Sequence, residues 1–288
     1  MKKIILILLI NINHGDKMSD DETLKHIQDV ELLILKDFIE ICDENNIEYY
    51  LFFGTEIGAV RHEGFIPWDD DIDVILFRDD YEKFLKIMEE KPSEKYTVFD
   101  IRYDEEYFLQ FGRLSLNGTY WAEYWDSQID FKLGIHIDLF ILDKVPDNKI
   151  KRFLYMRRCL FLCKLCSIAS IKIEEGSAPV KLIANTLHSL FNKIGLTPKY
   201  YQKKMLKLFR KYEHRDCKYY ADLTMNEQPY FKLEDFKPAK KVKFENIYAK
   251  IPNNQDATLG QIFGDYMQLP PEEDRVAHIL NEIDFGPY

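Results

Sequence analysis

The chain has 288 residues, of which 46% are hydrophobic and 14% aromatic, so it can bury a substantial core and is not globally disordered. Its net charge of −10 argues against a general nucleic-acid binder, because such proteins are usually basic. Five cysteines, an odd number, do not fit a secreted disulfide framework and are typical of a reducing, cytoplasmic setting.

Residues 1–18 are interpreted as a leader outside the folded part. Their apolar run from Ile4 to Ile10 is too short to span a bilayer, and no small-residue cleavage site follows it. A weak signal-peptide interpretation stays open beside the alternative that Met18 is the native start. Residues 19–22 form a capping box, which predicts that the first helix begins there.

The following elements can be predicted from hydrophobic periodicity. Apolar residues at helical spacing over 24–41 predict a helix, and "IEYYLFF" predicts a buried strand that Gly54 closes. "TEIGAVR" predicts a short helix. "DIDVILF" predicts a second strand whose period of two places Asp71 and Asp73 on one face. "GIHIDLFIL" predicts a third strand, which carries Asp138.

Beyond residue 148 the pattern changes to helices, predicted at 149–170, 178–194 and 198–214. We therefore predict a mixed α/β (α+β) fold with a core at 19–148, a basic helical region at 149–215 and a C-terminal part at 216–288 that packs back on the core.

The charge is divided unevenly along the chain. Residues 151–215 contain 15 Lys or Arg and 3 Asp or Glu, which leaves 24 basic and 46 acidic residues elsewhere. One interpretation is a set of solvated helix faces. The other is a basic face that binds anionic lipid or a phosphate-bearing acceptor.

Three features of the core combine into a candidate site: the Gly54-Thr55 turn, the pair Asp71 and Asp73, and Asp138 on another strand. Such carboxylates form an oxygen-rich pocket suited to Mg²⁺. A helix N-terminus at the turn would supply N–H groups to a bound phosphate. The alternative is a polar loop with an exposed Asp73. The arrangement resembles the nucleotidyltransferase fold.

The segment "YYLFFGTEIGAVRHEGFIPWDDDIDVILFRDDYEKFL" closely resembles the signature of the LicD family, which includes bacterial phosphocholine transferases and the fukutin-related proteins. "IHIDLFILDKVP" resembles the family's second acidic strand, and "FENIYAKIPNNQDATLGQIFGDYMQLPPEEDR" resembles its C-terminal block. The resemblance runs from about Leu33 to His278 and is weakest between Asn148 and Arg215.

The resemblance implies a nucleotidyltransferase-like core that moves a phospho-alcohol, such as phosphocholine, from a CDP-activated donor to a sugar hydroxyl. The acceptor would be a cell-surface glycan or its lipid-linked precursor, and the cofactor Mg²⁺ or Mn²⁺. Asp71 and Asp73 then correspond to metal ligands, and Asp138 to a third ligand or the base for the acceptor hydroxyl. Family members often have an acidic residue where His136 stands, which leaves the role of this histidine open. It is either a partner of the ligands or an exposed side chain, and we favour the second interpretation.

Gly54 and Thr55 are further candidates for binding phosphate, as are Arg61 and Arg113, which could clamp phosphate bidentately. For the two arginines the alternative is ion pairing with local acidic residues. Rival functions are a nucleotidyltransferase that uses an NTP and a catalytically silent glycan- or nucleotide-binding protein. We expect a cytoplasmic location, with peripheral contact to the inner face of the membrane through 151–215.

Overall fold

The computed structural model describes residues 21–104, 107–122, 128, 132–173, 177–226, 229–275 and 282–288. The predicted leader, and the first two residues of the predicted capping box, lie outside this part of the chain. The mixed α/β fold predicted from the sequence is confirmed.

Within the described residues the α-helices are α1 (Asp21–Glu44), α2 (Phe53–Arg61), α3 (Arg78–Glu90), α4 (Lys149–Ser170), α5 (Ala178–Lys193), α6 (Pro198–Phe209), α7 (Leu233–Phe236) and α8 (Gln255–Phe263). The strands are β1 (Tyr50–Leu51), β2 (Asp73–Phe77), β3 (Tyr96–Phe99), β4 (Gly112–Leu116), β5 (Tyr120–Ala122), β6 (His136–Val145), β7 (Tyr219–Ala221), β8 (Phe231–Lys232), β9 (Lys240–Phe244), β10 (Ile247–Ile251) and β11 (Glu282–Asp284).

The central sheet is mixed and has seven strands, in the order β1-β2-β6-β4-β3 with β7 and β8 attached beside β6. The ten-residue strand β6 organises it. It pairs with β2 in parallel, with β4 in antiparallel fashion through its first half, and with β7 through its last three residues. Two separate antiparallel pairs, β9 with β10 and β5 with β11, lie outside this sheet.

Side chains alternate between the two faces of a strand, and on β2 both faces are buried. On β2, Val74 and Leu76 join a cluster with the apolar face of α1. Ile75 and Phe77 join a second cluster on the opposite face, rich in aromatic side chains. A strand that is covered on both faces has a nearly continuous apolar sequence, as residues 74–77 of β2 do.

The basic region forms three helices, α4, α5 and α6, as the sequence predicted. They share a cluster of their own, which also includes Val145 of β6 and Ala221 of β7. This cluster joins the helices to the end of the central sheet. The boundaries of the three predicted parts of the chain stay predictions. None of the helices in the described ranges is long and apolar enough to cross a membrane.

The predicted extent of the second strand is wrong at its start. β2 begins at Asp73, so Asp71 lies in the loop before it. The partner strand β1 has two residues, which pair with Val74 and Ile75. Because Asp71 lies outside the strand, the period of two does not by itself place its side chain on the same face as Asp73.

Candidate active site

The centre of the site is the start of the parallel pair β2–β6. Asp73 and Asp138 are direct partners in the register of the two strands, so their side chains project on the same side of the sheet. Asp73 is buried, and Asp138 is half-buried. Two carboxylates from strands far apart in sequence thus meet near the start of both strands.

The backbone around Asp73 is held by residues at the start of α2. The Asp73 N–H donates to the Thr55 hydroxyl oxygen at 2.8 Å, and the Asp73 carbonyl accepts from the Phe52 N–H at 2.9 Å. Phe53, the first residue of α2, has a φ of 47°, a left-handed conformation that is strained for an aromatic residue. The Gly54-Thr55 turn therefore fixes where strand β2 begins.

Gly54 leaves room for the carboxylate of Asp69. A Cβ built there would lie 2.7 Å from an Oδ atom of Asp69, so this carboxylate would have to move if the glycine were replaced. Since Gly54 is in the first turn of α2, the Asp69 carboxylate lies beside a helix N-terminus, where negative charge is stabilised. This is the place where the sequence predicted a phosphate.

Arg113 of β4 approaches Asp138 from the other side. The two residues are paired in register, and the Arg113 Nε donates to Asp138 Oδ1 at 2.8 Å. The guanidinium also lies 5.6 Å above the ring of Phe111, which stacks on Phe140. Ion pairing with a local acid, one of the two interpretations of Arg113, is thus what the structure shows for this side chain.

Arg61, the last residue of α2, is bonded to another part of the chain. Its Nη1 donates to the carbonyl of Tyr266 at 2.8 Å, and its Nε contacts the ring of His62 at 3.0 Å. Burial lowers the pKa of this arginine. Arg61 therefore joins α2 to the C-terminal block, and its role toward phosphate stays a prediction.

His136 is buried, so the interpretation of an exposed histidine is wrong. Its Nδ1 lies 2.9 Å from the carbonyl of Gly134, and Trp121 packs against its ring. Burial and then the charge of Arg113 lower its pKa well below the usual value, which favours the neutral ring. Because Nδ1–H donates to Gly134, the lone pair of Nε2 faces Asp138 Oδ1 at 3.7 Å.

Sequence reasoning missed Glu31 of α1. This side chain is 1% exposed, and its Oε2 has no hydrogen-bond partner. Three residues earlier, Gln28 donates to the backbone carbonyl of Asp69 at 2.9 Å, which places this helix face against the acidic loop. The signal was a carboxylate on the apolar face of an amphipathic helix, four residues after the buried Ile27.

The site has more negative charge than its cations neutralise. The pKa of Asp73 is raised well above its usual value, first by burial and then by Asp71, Asp138 and Asp69, although Arg113 lowers it. The pKa of Glu31 is also raised well above its usual value, first by burial and then by the same group of aspartates. A bound cation would relieve both effects.

The donor set suits a hard divalent cation, because it consists of carboxylate oxygens and is short of positive charge. As they stand, no three acidic, histidine or cysteine side chains within the described ranges are spaced to hold a metal ion. The residues therefore fit Mg²⁺ in chemistry and charge, but they are not arranged as a preformed metal cage.

A parallel strand pair with in-register carboxylates, beside a glycine-bearing helix start, defines the class of a nucleotidyltransferase-like protein. Residues 46–144 match the family model described as LicD/FKTN/FKRP, nucleotidyltransferase domain. The lipopolysaccharide cholinephosphotransferase LicD of Haemophilus influenzae is 31% identical over 268 residues, which are 90% of this chain and 97% of that protein. The chain belongs to this family and is a LicD-type transferase, as the resemblance implied.

Two rickettsial relatives match a shorter part. An uncharacterized protein of Rickettsia typhi is 37% identical over 76 residues, which are 26% of this chain and 24% of that protein. A Rickettsia prowazekii protein, also uncharacterized, is 40% identical over 65 residues, 23% of this chain and 24% of that protein.

Proposed function

We propose that the chain transfers phosphocholine, or a similar phospho-alcohol, from a CDP-activated donor to a sugar hydroxyl. The acceptor is a cell-surface glycan or its lipid-linked precursor. The observation that carries this proposal is the in-register pair Asp73 and Asp138, held by Thr55 and Arg113, in a chain related along nearly its whole length to a named lipopolysaccharide cholinephosphotransferase.

The cofactor in this proposal is Mg²⁺ or Mn²⁺, with Asp71, Asp73 and Asp138 as ligands. The unpartnered carboxylate of Glu31 adds to the negative charge that favours the ion. When bound, the metal would neutralise phosphate oxygens of the donor and stabilise the leaving CMP.

The remaining residues have positioning roles in the proposal. Arg113 orients Asp138 through the Nε–Oδ1 hydrogen bond, which positions this carboxylate as the third metal ligand or, in its alternative role, as the base for the acceptor hydroxyl. Backbone N–H groups of Gly54 and Thr55, at the start of α2, favour a donor phosphate beside them. Arg61 is proposed to add positive charge at the far end of the same helix.

We place the reaction in the cytoplasm, with the protein peripheral at the inner face of the membrane. The odd number of cysteines and the basic region support this location. The family description names a nucleotidyltransferase domain, which supports direct use of an NTP as the second candidate function. The two reactions differ in product, since the first releases CMP and the second pyrophosphate.

Calorimetric titration with CDP-choline, CDP-glycerol, CDP-ribitol and CTP, with and without Mg²⁺, tests the proposal. We expect metal-dependent binding of one CDP-alcohol that Asp73→Asn abolishes. Asp79→Asn is the matched control, because Asp79 is an exposed aspartate on the following helix and should leave binding unchanged. Preference for CTP would favour the second candidate. Absence of binding by folded protein would support a catalytically silent protein.

A further inference from the structure

Exposed apolar side chains are concentrated in one part of the molecule. Within the described ranges, eight of the eleven exposed large hydrophobic residues other than tyrosine lie between positions 150 and 194. They are Ile150, Phe153, Leu154, Phe161, Leu182, Ile183, Leu190 and Ile194. Single exposed apolar residues are common on protein surfaces, but a group of this size on two adjacent helices marks an interaction surface.

On α4 these residues form a stripe. Ile150, Leu154 and Phe161 are separated by four and seven residues, so they lie on one side of the helix, and their exposed fractions are 70%, 61% and 62%. The opposite side of α4, which includes Tyr155 and Cys159, packs in the core of the helical region. The helix is therefore apolar on both sides, but the described residues of the chain cover only one of them.

On α5, Leu182, Ile183 and Leu190 are exposed in the same way. α5 packs against α4, and the ring of His188 is within 2.9 Å of the carbonyl of Ile168 near the end of α4. The exposed apolar side chains therefore lie on two helices that are in direct contact.

Basic residues surround the α4 stripe. Lys151, Arg157 and Arg158 are exposed, and the Arg157 guanidinium lies 5.5 Å from the centre of the Phe153 ring. Neither α4 nor α5 contains an aspartate or a glutamate. A partner for this face must therefore be apolar and anionic at the same time.

We propose that the exposed face of α4 and α5 binds the surface of an anionic phospholipid bilayer, with the apolar stripe inserted among the acyl chains and the basic residues on the lipid phosphates. Two copies of the chain facing each other through this surface would bring like charges together, which argues against a symmetric dimer. The chain outside residues 151–215 has 46 acidic and 24 basic residues and is repelled by anionic lipid, so the basic region, which carries this face, points toward the bilayer.

This inference deepens the proposed function, since it gives the enzyme a means of reaching a lipid-linked acceptor. It rests on the proposed function for its purpose but not for its test, because lipid binding requires neither donor nor metal. If the protein binds vesicles but no donor, the proposed reaction is wrong and the lipid-binding surface stands. If it binds a donor but no vesicles, only the proposed lipid-binding surface is wrong.

The test is co-sedimentation of the full chain with vesicles of phosphatidylcholine, or of phosphatidylcholine and phosphatidylglycerol in equal parts. We expect binding only to the anionic vesicles, weakened by high salt. Arg157→Glu/Arg158→Glu should lower the affinity at least about tenfold, because each basic residue near the surface contributes several-fold. Leu154→Ser/Phe161→Ser should lower it about tenfold at low salt as well, through lost insertion of apolar surface.

Two matched controls keep the net charge and the number of exposed apolar residues equal to those of the variants. Lys91→Glu/Lys241→Glu reverses two exposed charges outside the basic region, and Met267→Ser/Leu269→Ser removes two exposed apolar residues beyond α8. Both controls should bind like the wild type. The proposal is overturned if anionic vesicles do not bind, or if the controls lose as much affinity as the variants. It is also overturned if light scattering shows a dimer that Leu154→Ser/Phe161→Ser dissociates.

Discussion

The acidic end of β2–β6, where Asp73 and Asp138 meet, and the exposed face of α4–α5 are opposite in character. Both lower the stability of the chain when nothing is bound to them. At the first, carboxylates are buried beside one another, and the pKa of Asp73 is raised because its charged form is disfavoured. At the second, large apolar side chains face water on helices without acidic residues. Each region becomes favourable when something binds it. Such local conflicts between sequence and stability are expected at functional sites.

The comparison predicts its largest effect at the acidic end. Asp73→Asn keeps the size of the side chain but removes the charge, and we expect CMP release to fall by roughly a thousandfold, since electrostatic groups at the reacting centre contribute on this scale. The same variant should be as stable as the wild type or more stable without metal, because an unfavourable buried charge is gone. Steady-state kinetics and thermal unfolding in EDTA measure the two effects.

A single helix allows a matched test of the other region. Leu160→Ala on the buried side of α4 should cost about 2–5 kcal/mol of unfolding free energy, through lost burial and the cavity left behind. Leu154→Ala on the exposed side should change it by no more than about 0.5 kcal/mol. Urea denaturation distinguishes them. An equal loss in both variants would show that Leu154 is covered by protein in solution.

Glu31 links stability to metal at the acidic end. Glu31→Gln should raise the free energy of unfolding in EDTA by about 1 kcal/mol or more, since a carboxylate whose charged form is disfavoured by burial and by the nearby aspartates is replaced by a neutral group of the same shape. The rise in melting temperature on adding Mg²⁺ should become smaller. Glu40→Gln, an exposed position on the same helix, should change neither quantity. A wild-type response in Glu31→Gln would remove this residue from the proposal.

Asp222, a buried carboxylate away from the site, tests the effect of a buried charge on stability where no metal is proposed to bind. Burial raises the pKa of Asp222 to about 6, although its bonds to Thr224 lower it. The folded state therefore binds the proton more tightly than the unfolded state. This contribution to stability falls as the pH rises from about 4 to about 6, with a slope of at most about 1.4 kcal/mol per pH unit. Asp222→Asn should remove this slope, and Mg²⁺ should not affect it.

Local patterns were sufficient to predict the elements of the core. The apolar run of β2, the helical spacing of α1 and the helices of the basic region all depend on neighbours in sequence. The candidate residues Asp73 and Asp138 were found because each begins or occupies a recognisable strand. The failure at Asp71 has the same origin, since periodicity alone does not show where pairing starts.

Contacts between distant parts of the chain could not be predicted in this way. The parallel register that places Asp73 opposite Asp138, and the antiparallel register that brings Arg113 to Asp138, join segments 65 and 25 residues apart. The burial of His136, and the position of Glu31 on the helix face that packs against the acidic loop, likewise depend on tertiary packing. Sequence pattern gives the face of an element but not the partner that covers it.

Release of CMP from CDP-choline in the presence of Mg²⁺ tests the central claim most directly, with a lipid-linked or soluble glycan as acceptor. The account predicts CMP release that requires the metal and the acceptor, is lost in Asp73→Asn and persists in Asp79→Asn. Equal CMP release by wild type and Asp73→Asn, or none by folded wild type with any CDP-alcohol, would contradict the assignment of the acidic end of β2–β6 as the reacting centre.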